Sequence, residues 1–271
     1  MYLLDQIRSM LDSSSEAEKK FARYVLAHED VIYQSISEVI EDSGAGYGTV
    51  IRYCKKMGCS GFQDFKIRLA AESSLINQKS NDKKKEVEAG DLLEPYITHL
   101  RNTARILDQQ QIIKVAKSII EAQRILVIGA GGSYPTALEL TYRLTRFGFC
   151  VVAEMDEHMQ AIRASTLGKE DLLIVVSFSG STKGILDTAQ IAKNNRTKIV
   201  AITNYLRSPL VKLAEYYLLT AIWEQALDAE IVTRIPSNFI IDILTTTIVR
   251  NYPKAKQAIK DTSQGVSQKQ I

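Results

Sequence analysis

Leu126-Val127-Ile128-Gly129-Ala130-Gly131-Gly132-Ser133 and Leu173-Ile174-Val175-Val176-Ser177-Phe178-Ser179-Gly180-Ser181-Thr182 decide the fold of the larger, C-terminal part of this chain. In each, an apolar run of β type breaks into a turn rich in glycine or serine, and a helix-type sequence follows. Such a turn presents unpartnered backbone N–H groups at a helix N-terminus, where the macrodipole is positive and an anion is held best. The second turn carries four hydroxyls in six residues and no acid, which suits the oxygens of a phosphate monoester. The two turns together are expected to form a phosphate pocket, with a small phosphorylated molecule as partner.

Outward from these turns the same unit repeats. Strands are expected over 125–128, 150–153, 172–176, 199–202 and 217–219, and helices over 133–147, 157–164 and 181–193. Helices over 93–107 and 110–122 lead in, and one over 236–250 closes the domain; the polar tail after Asn251 is expected to fray. Alternating strands and helices with near-continuous Val/Ile/Leu runs indicate a doubly wound parallel sheet covered on both faces. Right-handed crossovers then put both turns at the carboxyl edge of that sheet, where such folds bind ligands. The first turn is neither of the two familiar phosphate loops. Tyr134 stands where the dinucleotide fingerprint needs its third glycine, and the Gly-Lys-Ser/Thr of a P-loop is absent.

The run Ile128 to Ser133, then Asp156-Glu157-His158, then Asp171-Leu172-Leu173-Ile174 leading into Ser177-x-Ser179-Gly180-x-Thr182, then Ile202-Thr203 and Ser208-Pro209-Leu210, resembles the sugar isomerase (SIS) domain. The resemblance covers roughly residues 112–219 and implies a five-stranded parallel sheet that binds phosphorylated sugars. It implies that Ser133, Ser177, Ser179 and Thr182 hold the phosphate, with Gly131 and Gly132 beside them and Ser181 standing where many SIS enzymes carry an acid or amide. His158, after a strand on the ligand edge, is expected to touch a sugar hydroxyl.

The first eighty or so residues read as all helix. Either Ser13 or Ser15 can cap a helix with a glutamate three residues on. Ser35-Ile36-Ser37-Glu38-Val39-Ile40, a turn at Gly44-Ala45-Gly46, and Thr49 to Gly58 suit a helix-turn-helix. Its second helix, about 16 Å long, fits a major groove about 12 Å wide. Tyr47, Thr49, Arg52, Lys55 and Lys56 are the expected DNA contacts, while Val50, Tyr53 or Cys54, and Met57 turn to the core. Lys66 and Arg68 are expected to extend the positive charge. Gly46 and Gly48 weaken the start of this helix, through a missing capping hydroxyl and low helix propensity. With a SIS domain behind it, Arg52-Tyr53-Cys54-Lys55-Lys56-Met57-Gly58-x-x-Gly61-Phe62-x-Asp64-Phe65-Lys66 is similar to the RpiR family of transcriptional regulators. That resemblance implies operator DNA and a phosphorylated sugar as partners, and a homodimer or higher homo-oligomer.

The domains are therefore expected over 1–76 (helix-turn-helix), 77–91 (a polar linker containing Lys83-Lys84-Lys85) and 92–271 (SIS). A net charge of +3 over 271 residues demands no nucleic acid globally, so any basic surface must be local. Met1-Tyr2-Leu3-Leu4-Asp5 meets a charge at once, no apolar run spans a membrane, and the three cysteines lack metal-ligand spacing. A cytoplasmic protein with reduced thiols and no cofactor is the expectation. The rival reading is an aldose–ketose isomerase with an accessory helical domain, for which Glu154, Glu157, His158, Glu224 or Glu230 could serve as general base.

Overall fold

A computed structural model of the chain describes residues 3–11, 13–78, 89–222 and 234–267. Two compact units emerge, divided between Tyr96 and Ile97 and again between Ala221 and Ile222, which groups with the first. The expected linker falls largely on residues outside the described set, as do Lys83–Lys85, Glu224 and Glu230. Among the described residues no helix is long and apolar enough to cross a membrane.

The first unit is all helical: α1 (Leu3–Met10), α2 (Glu16–Ala27), α3 (Ile36–Ser43), α4 (Tyr47–Lys56) and α5 (Phe62–Gln78). Two capping boxes fix where helices begin. Ser15, rather than Ser13, opens α2: Glu18 N–H donates to Ser15 Oγ (3.4 Å) and Ser15 N–H donates to Glu18 Oε2 (2.9 Å). Ser35 and Glu38 repeat the arrangement at α3, at 3.2 and 2.7 Å. Both satisfy amides that a helix start leaves orphaned. The core gathers around the Phe21 ring, which meets Tyr53 edge-on at 5.5 Å and Phe65 at 5.6 Å, all three fully buried. Ile7, Val39, Val50 and Cys54 complete it.

The second unit opens within α6 (Ala89–Ile106) and continues with α7 (Gln109–Glu121), β1 (Ile125–Gly129), α8 (Tyr134–Arg146), β2 (Val151–Glu154), α9 (Glu157–Ser165), β3 (Leu172–Val176), α10 (Lys183–Asn194), β4 (Lys198–Thr203), α11 (Pro209–Leu213), β5 (Tyr216–Leu219), α12 (Ile235–Asn251) and α13 (Pro253–Ser267). All strand pairings are parallel, in the order β2-β1-β3-β4-β5. Side chains alternate between two cores. Val127, Ile174, Val176, Val200 and Ile202 face α7, α8 and α12, while Leu126, Leu173, Val175, Ile199 and Ala201 face α9, α10 and α11. Burial on both faces is why these strands are continuous apolar runs.

The tail departs from expectation. Pro253 opens α13 instead of ending order, because Ala255 is fully buried in the α8/α12 core. Arg146 Nη2 donates to Ser263 Oγ at 2.7 Å, and the left-handed Gly148 brings its backbone close to Ala258. A polar sequence hid a helix whose buried face is narrow. Truncation after Tyr252 should therefore lower the stability of the second unit by about 2 kcal/mol or more, read from urea midpoints; a frayed tail would leave the midpoint unchanged.

Candidate functional site

In the second unit β1 has β2 on one side and β3 on the other. The chain leaves adjacent strands in opposite directions there, which opens a crevice outside their carboxyl ends. The ladder ends with Gly129 opposite Val176, so both glycine/serine turns begin on neighbouring strands about 4.8 Å apart. A side chain at Gly129 would crowd the main chain that starts α8. A Cβ would lie 3.1 Å from the Ser133 carbonyl and 3.2 Å from Tyr134 N, because α8 folds straight back onto the strand end. Gly131 holds φ +50°, and Ser133 N–H donates to Ala130 O at 3.0 Å.

The second turn is closed more tightly. Gly180 takes φ +58°, its N–H donates to Ser177 O (3.0 Å), and its carbonyl accepts from Leu210 N–H (3.0 Å). A Cβ there would overlap Ser208 and approach Thr203 Oγ1 to 3.0 Å, so only glycine fits. Ser208 caps α11 and Thr203 Oγ1 donates to Phe178 O, which locks the turn to the end of β4. The hydroxyls of Ser133, Ser177 and Thr182 bond to no other described residue. Ser179 Oγ accepts only from Ser181 N–H (3.3 Å), and Ser181 Oγ turns back to the Ser179 carbonyl (3.4 Å). Hydroxyls at the mouth of a sheet with no partner among the described residues are groups available to an anion.

The rim beyond β2 carries Asp156, Glu157 and His158. Asp156 caps α9 by accepting from Met159 N–H at 2.9 Å, and His158 is exposed in its first turn. Glu154 is engaged by Arg163 (3.0 Å) and accepts from Met155 N–H (3.1 Å). Sequence reasoning missed Gln160. It is fully buried, and its Nε2 donates to the carbonyls of Gly129 (3.3 Å), Glu154 (3.0 Å) and Met155 (3.2 Å), tying the ends of β1 and β2 together. A glutamine inside an amphipathic helix reads as surface, and nothing in its neighbours signals otherwise.

In the first unit Gly44, at φ +66°, ends α3 and Gly46 caps α4 without a side-chain bond. Val50, Tyr53, Cys54 and Met57 are buried, whereas Tyr47, Arg52, Lys55 and Lys56 are exposed and Thr49 is half-buried. Arg52 Nη2 lies 3.5 Å from Thr49 Oγ1, and its guanidinium runs back over the bare Cα of Gly48. Lys56 is partly committed, 3.5 Å from Glu18. The expected extension of positive charge fails in part. Lys66 is only 4% exposed, with Nζ donating to Gln34 O at 2.8 Å above the Phe62 ring, and Arg68 pairs with Asp64 at 3.2 Å. Lys66 thus secures the carbonyl just before the Ser35 cap.

A helix-turn-helix with a cationic face on its second helix, followed by a doubly wound sheet with hydroxyl-bearing turns at its carboxyl edge, is the architecture of a transcriptional regulator. Residues 1–75 match the helix-turn-helix domain of the rpiR family, and residues 118–246 match the SIS domain. Over its whole length the chain is similar to an uncharacterised HTH-type transcriptional regulator of Clostridium perfringens, at 32% identity covering 97% of this chain and 98% of the relative. A second such regulator, from Haemophilus influenzae, is 30% identical over 92% and 90%. Among solved structures, the Vibrio vulnificus NanR protein complexed with ManNAc-6P superposes with a TM-score of 0.80 at 27% identity, covering 97% of each chain. The sugar isomerase domain of an RpiR transcription factor from Sphaerobacter thermophilus shares the fold of 64% of this chain, at 20% identity and a TM-score of 0.59. This chain belongs to the RpiR family of HTH-type transcriptional regulators.

The buried lysine has a signature in pH. Burial pulls the Lys66 ammonium down from 10.5 to about 8, against the opposing pull of Glu38. Between those values the unfolded chain holds a proton that the folded chain has released, so this group makes stability rise with pH; below 8 the cost of the buried charge is present in full. Burial shifts Tyr24, Tyr53 and Cys54 upward, which works in the opposite sense. The contribution of Lys66 is therefore read as wild type minus Lys66→Met. From about pH 7.5 to 9.5 that difference in unfolding free energy should grow by about 2 kcal/mol in favour of wild type. A flat difference would mean that Lys66 titrates like a surface lysine.

Proposed function

We propose that this regulator binds operator DNA through α4 and that a phosphorylated sugar, held in the crevice between β1 and β3, sets its affinity. The observation that carries this reading is the second turn. Its backbone is locked by Gly180, Ser208 and Thr203, yet the Ser177 and Thr182 hydroxyls bond to no other described residue. A structural turn would spend those hydroxyls on its own amides and carbonyls. Ser133, Ser177, Ser179 and Thr182 hold the phosphate, with the Gly131-Gly132 backbone beside it. His158 meets a sugar hydroxyl. Ser181, turned back on its own loop, contributes only after its hydroxyl rotates. The ManNAc-6P in NanR supports a sugar phosphate as the ligand class.

Tyr47, Thr49, Arg52 and Lys55 meet the DNA, and Lys56 joins them by exchanging Glu18 for a phosphate. The chain acts in the cytoplasm as a homodimer or higher homo-oligomer, since two such helices read two half-sites one helical turn apart. Turnover is not part of the role. Of the candidate bases, Glu154 is held by Arg163 and Glu157 rests against Gly184 with no hydrogen bond to another described residue to orient it, which leaves neither poised as the base an isomerase needs. An effector that changes operator affinity 5- to 150-fold, about 1–3 kcal/mol, suffices to switch transcription.

Selection of genomic fragments on the purified protein, with and without a pool of sugar phosphates, tests this. A palindromic site whose recovery changes with the pool is expected; recovery limited to the salt-sensitive background would refute it. On that site Arg52→Ala should cost about 1–3 kcal/mol and relax preference at one base pair, whereas a uniform loss over all sequences makes it a phosphate contact. Ser179→Ala should abolish the effector response and leave DNA affinity intact; a preserved response removes Ser179 from the pocket.

A further inference from the structure

Glu157 stands at the first position of α9, and Gly184 at the second position of α10, just beyond the Thr182 cap. A Cβ on Gly184 would lie 2.6 Å from Glu157 Cδ, 2.6 Å from Oε2 and 2.8 Å from Oε1. The carboxylate therefore lies flat against the bare Cα of the α10 first turn, a position open to it only because residue 184 has no side chain. Glu157 is exposed and makes no hydrogen bond or ion pair with another described residue. The nearby basic groups are engaged elsewhere: Arg163 with Glu154 and Lys183 with Asp187. Compensation of the α9 dipole explains an acid at position 157. It does not explain why the neighbouring helix is stripped of its side chain where that acid rests.

We propose that Glu157 determines which phosphorylated ligands the crevice accepts; this rests on the phosphate-pocket reading above. Gly184 follows the Thr182 cap by two residues, so the part of a ligand that extends away from a phosphate on the Ser177–Thr182 turn is the part that meets this carboxylate. A carboxylate accepts hydrogen bonds from hydroxyl, amide or ammonium donors and repels a second anion at close range. The effector is accordingly a monophosphate of a neutral or amino sugar. Sugars bearing a second phosphate or a carboxylate are excluded.

Matched pairs differing in one anionic group test this on the full chain by calorimetry: glucitol 6-phosphate against 6-phosphogluconate, both open-chain, and fructose 6-phosphate against fructose 1,6-bisphosphate, with inorganic phosphate as the minimal probe. Wild type should bind the partner with one anionic group about tenfold or more tightly than its counterpart with two. Glu157→Gln should shrink that gap, chiefly by tightening the ligand with two anionic groups. Gly184→Ala displaces the carboxylate while keeping its charge. Only the end of a flexible side chain must move, so the fold survives and the gap should shrink again. A gap unchanged in both variants, or a wild type that prefers the partner with two anionic groups, overturns the role of Glu157 and leaves the pocket standing. If neither inorganic phosphate nor any sugar phosphate binds wild type, the pocket reading falls and this one with it.

Discussion

Everything in the second unit turns on the chain's reversal beside β1. With β2 on one flank and β3 on the other, two helices start from adjacent strand ends and diverge, leaving a crevice between them. That space exists only because the backbone can approach itself closely at two points. At Gly129 the first turn of α8 comes within 3.1 Å of where a Cβ would be, and at Gly180 the Ser208 side chain occupies that place outright. Gln160 ties the β1 and β2 ends from below with three donated contacts from one amide nitrogen. The crevice is thus held by packing and main-chain bonds, and its hydroxyls remain available for something other than structure.

A comparable economy governs the first unit. The aromatic cluster around Phe21 fixes α2 against α4 and α5, and the ring of Tyr53 commits one face of α4 to the core. Helical geometry then dictates that Arg52, Lys55 and Lys56 lie on the opposite face. Lys66, which a charge count would add to that face, instead crosses the core margin to the Gln34 carbonyl. Its ammonium stabilises the segment that leads into α3 at the expense of surface charge. The cationic patch is narrower than the local sequence suggests.

Much of this was legible in the sequence, for physical reasons that also mark where legibility stops. The strands could be read because burial on both faces leaves Leu172–Val176 wholly apolar. The starts of α2 and α3 could be read because a capping box is local, spanning four residues. The face of α4 could be read because its period is set by the helix itself. What escaped depends on partners distant in the chain. Lys66 meets Gln34, Lys56 meets Glu18, Gln160 meets Gly129, and α13 is ordered through Ala255 against a core assembled from earlier helices. No local pattern links these partners, and a polar side chain carries no mark of whether tertiary structure will bury it. The hydroxyls of the second turn were legible as a group, but Ser181 folding back on Ser179 was a matter of rotamer and turn geometry.

The crevice also bears on why one fold serves both isomerases and sensors. Moving a proton between sugar carbons requires a base in fixed geometry with a pKa near the working pH. Sensing requires only that ligand binding differ between two states of the protein. Around this crevice Glu154 is committed to Arg163 and Asp156 to the start of α9, while Glu157 rests against Gly184 with no hydrogen bond to another described residue to orient it. The positions of Asp156 and Glu157 answer first to the start of α9. In the sensor reading proposed above, selection acts through affinity and discrimination between anions, which asks for a shaped turn and not for a positioned base.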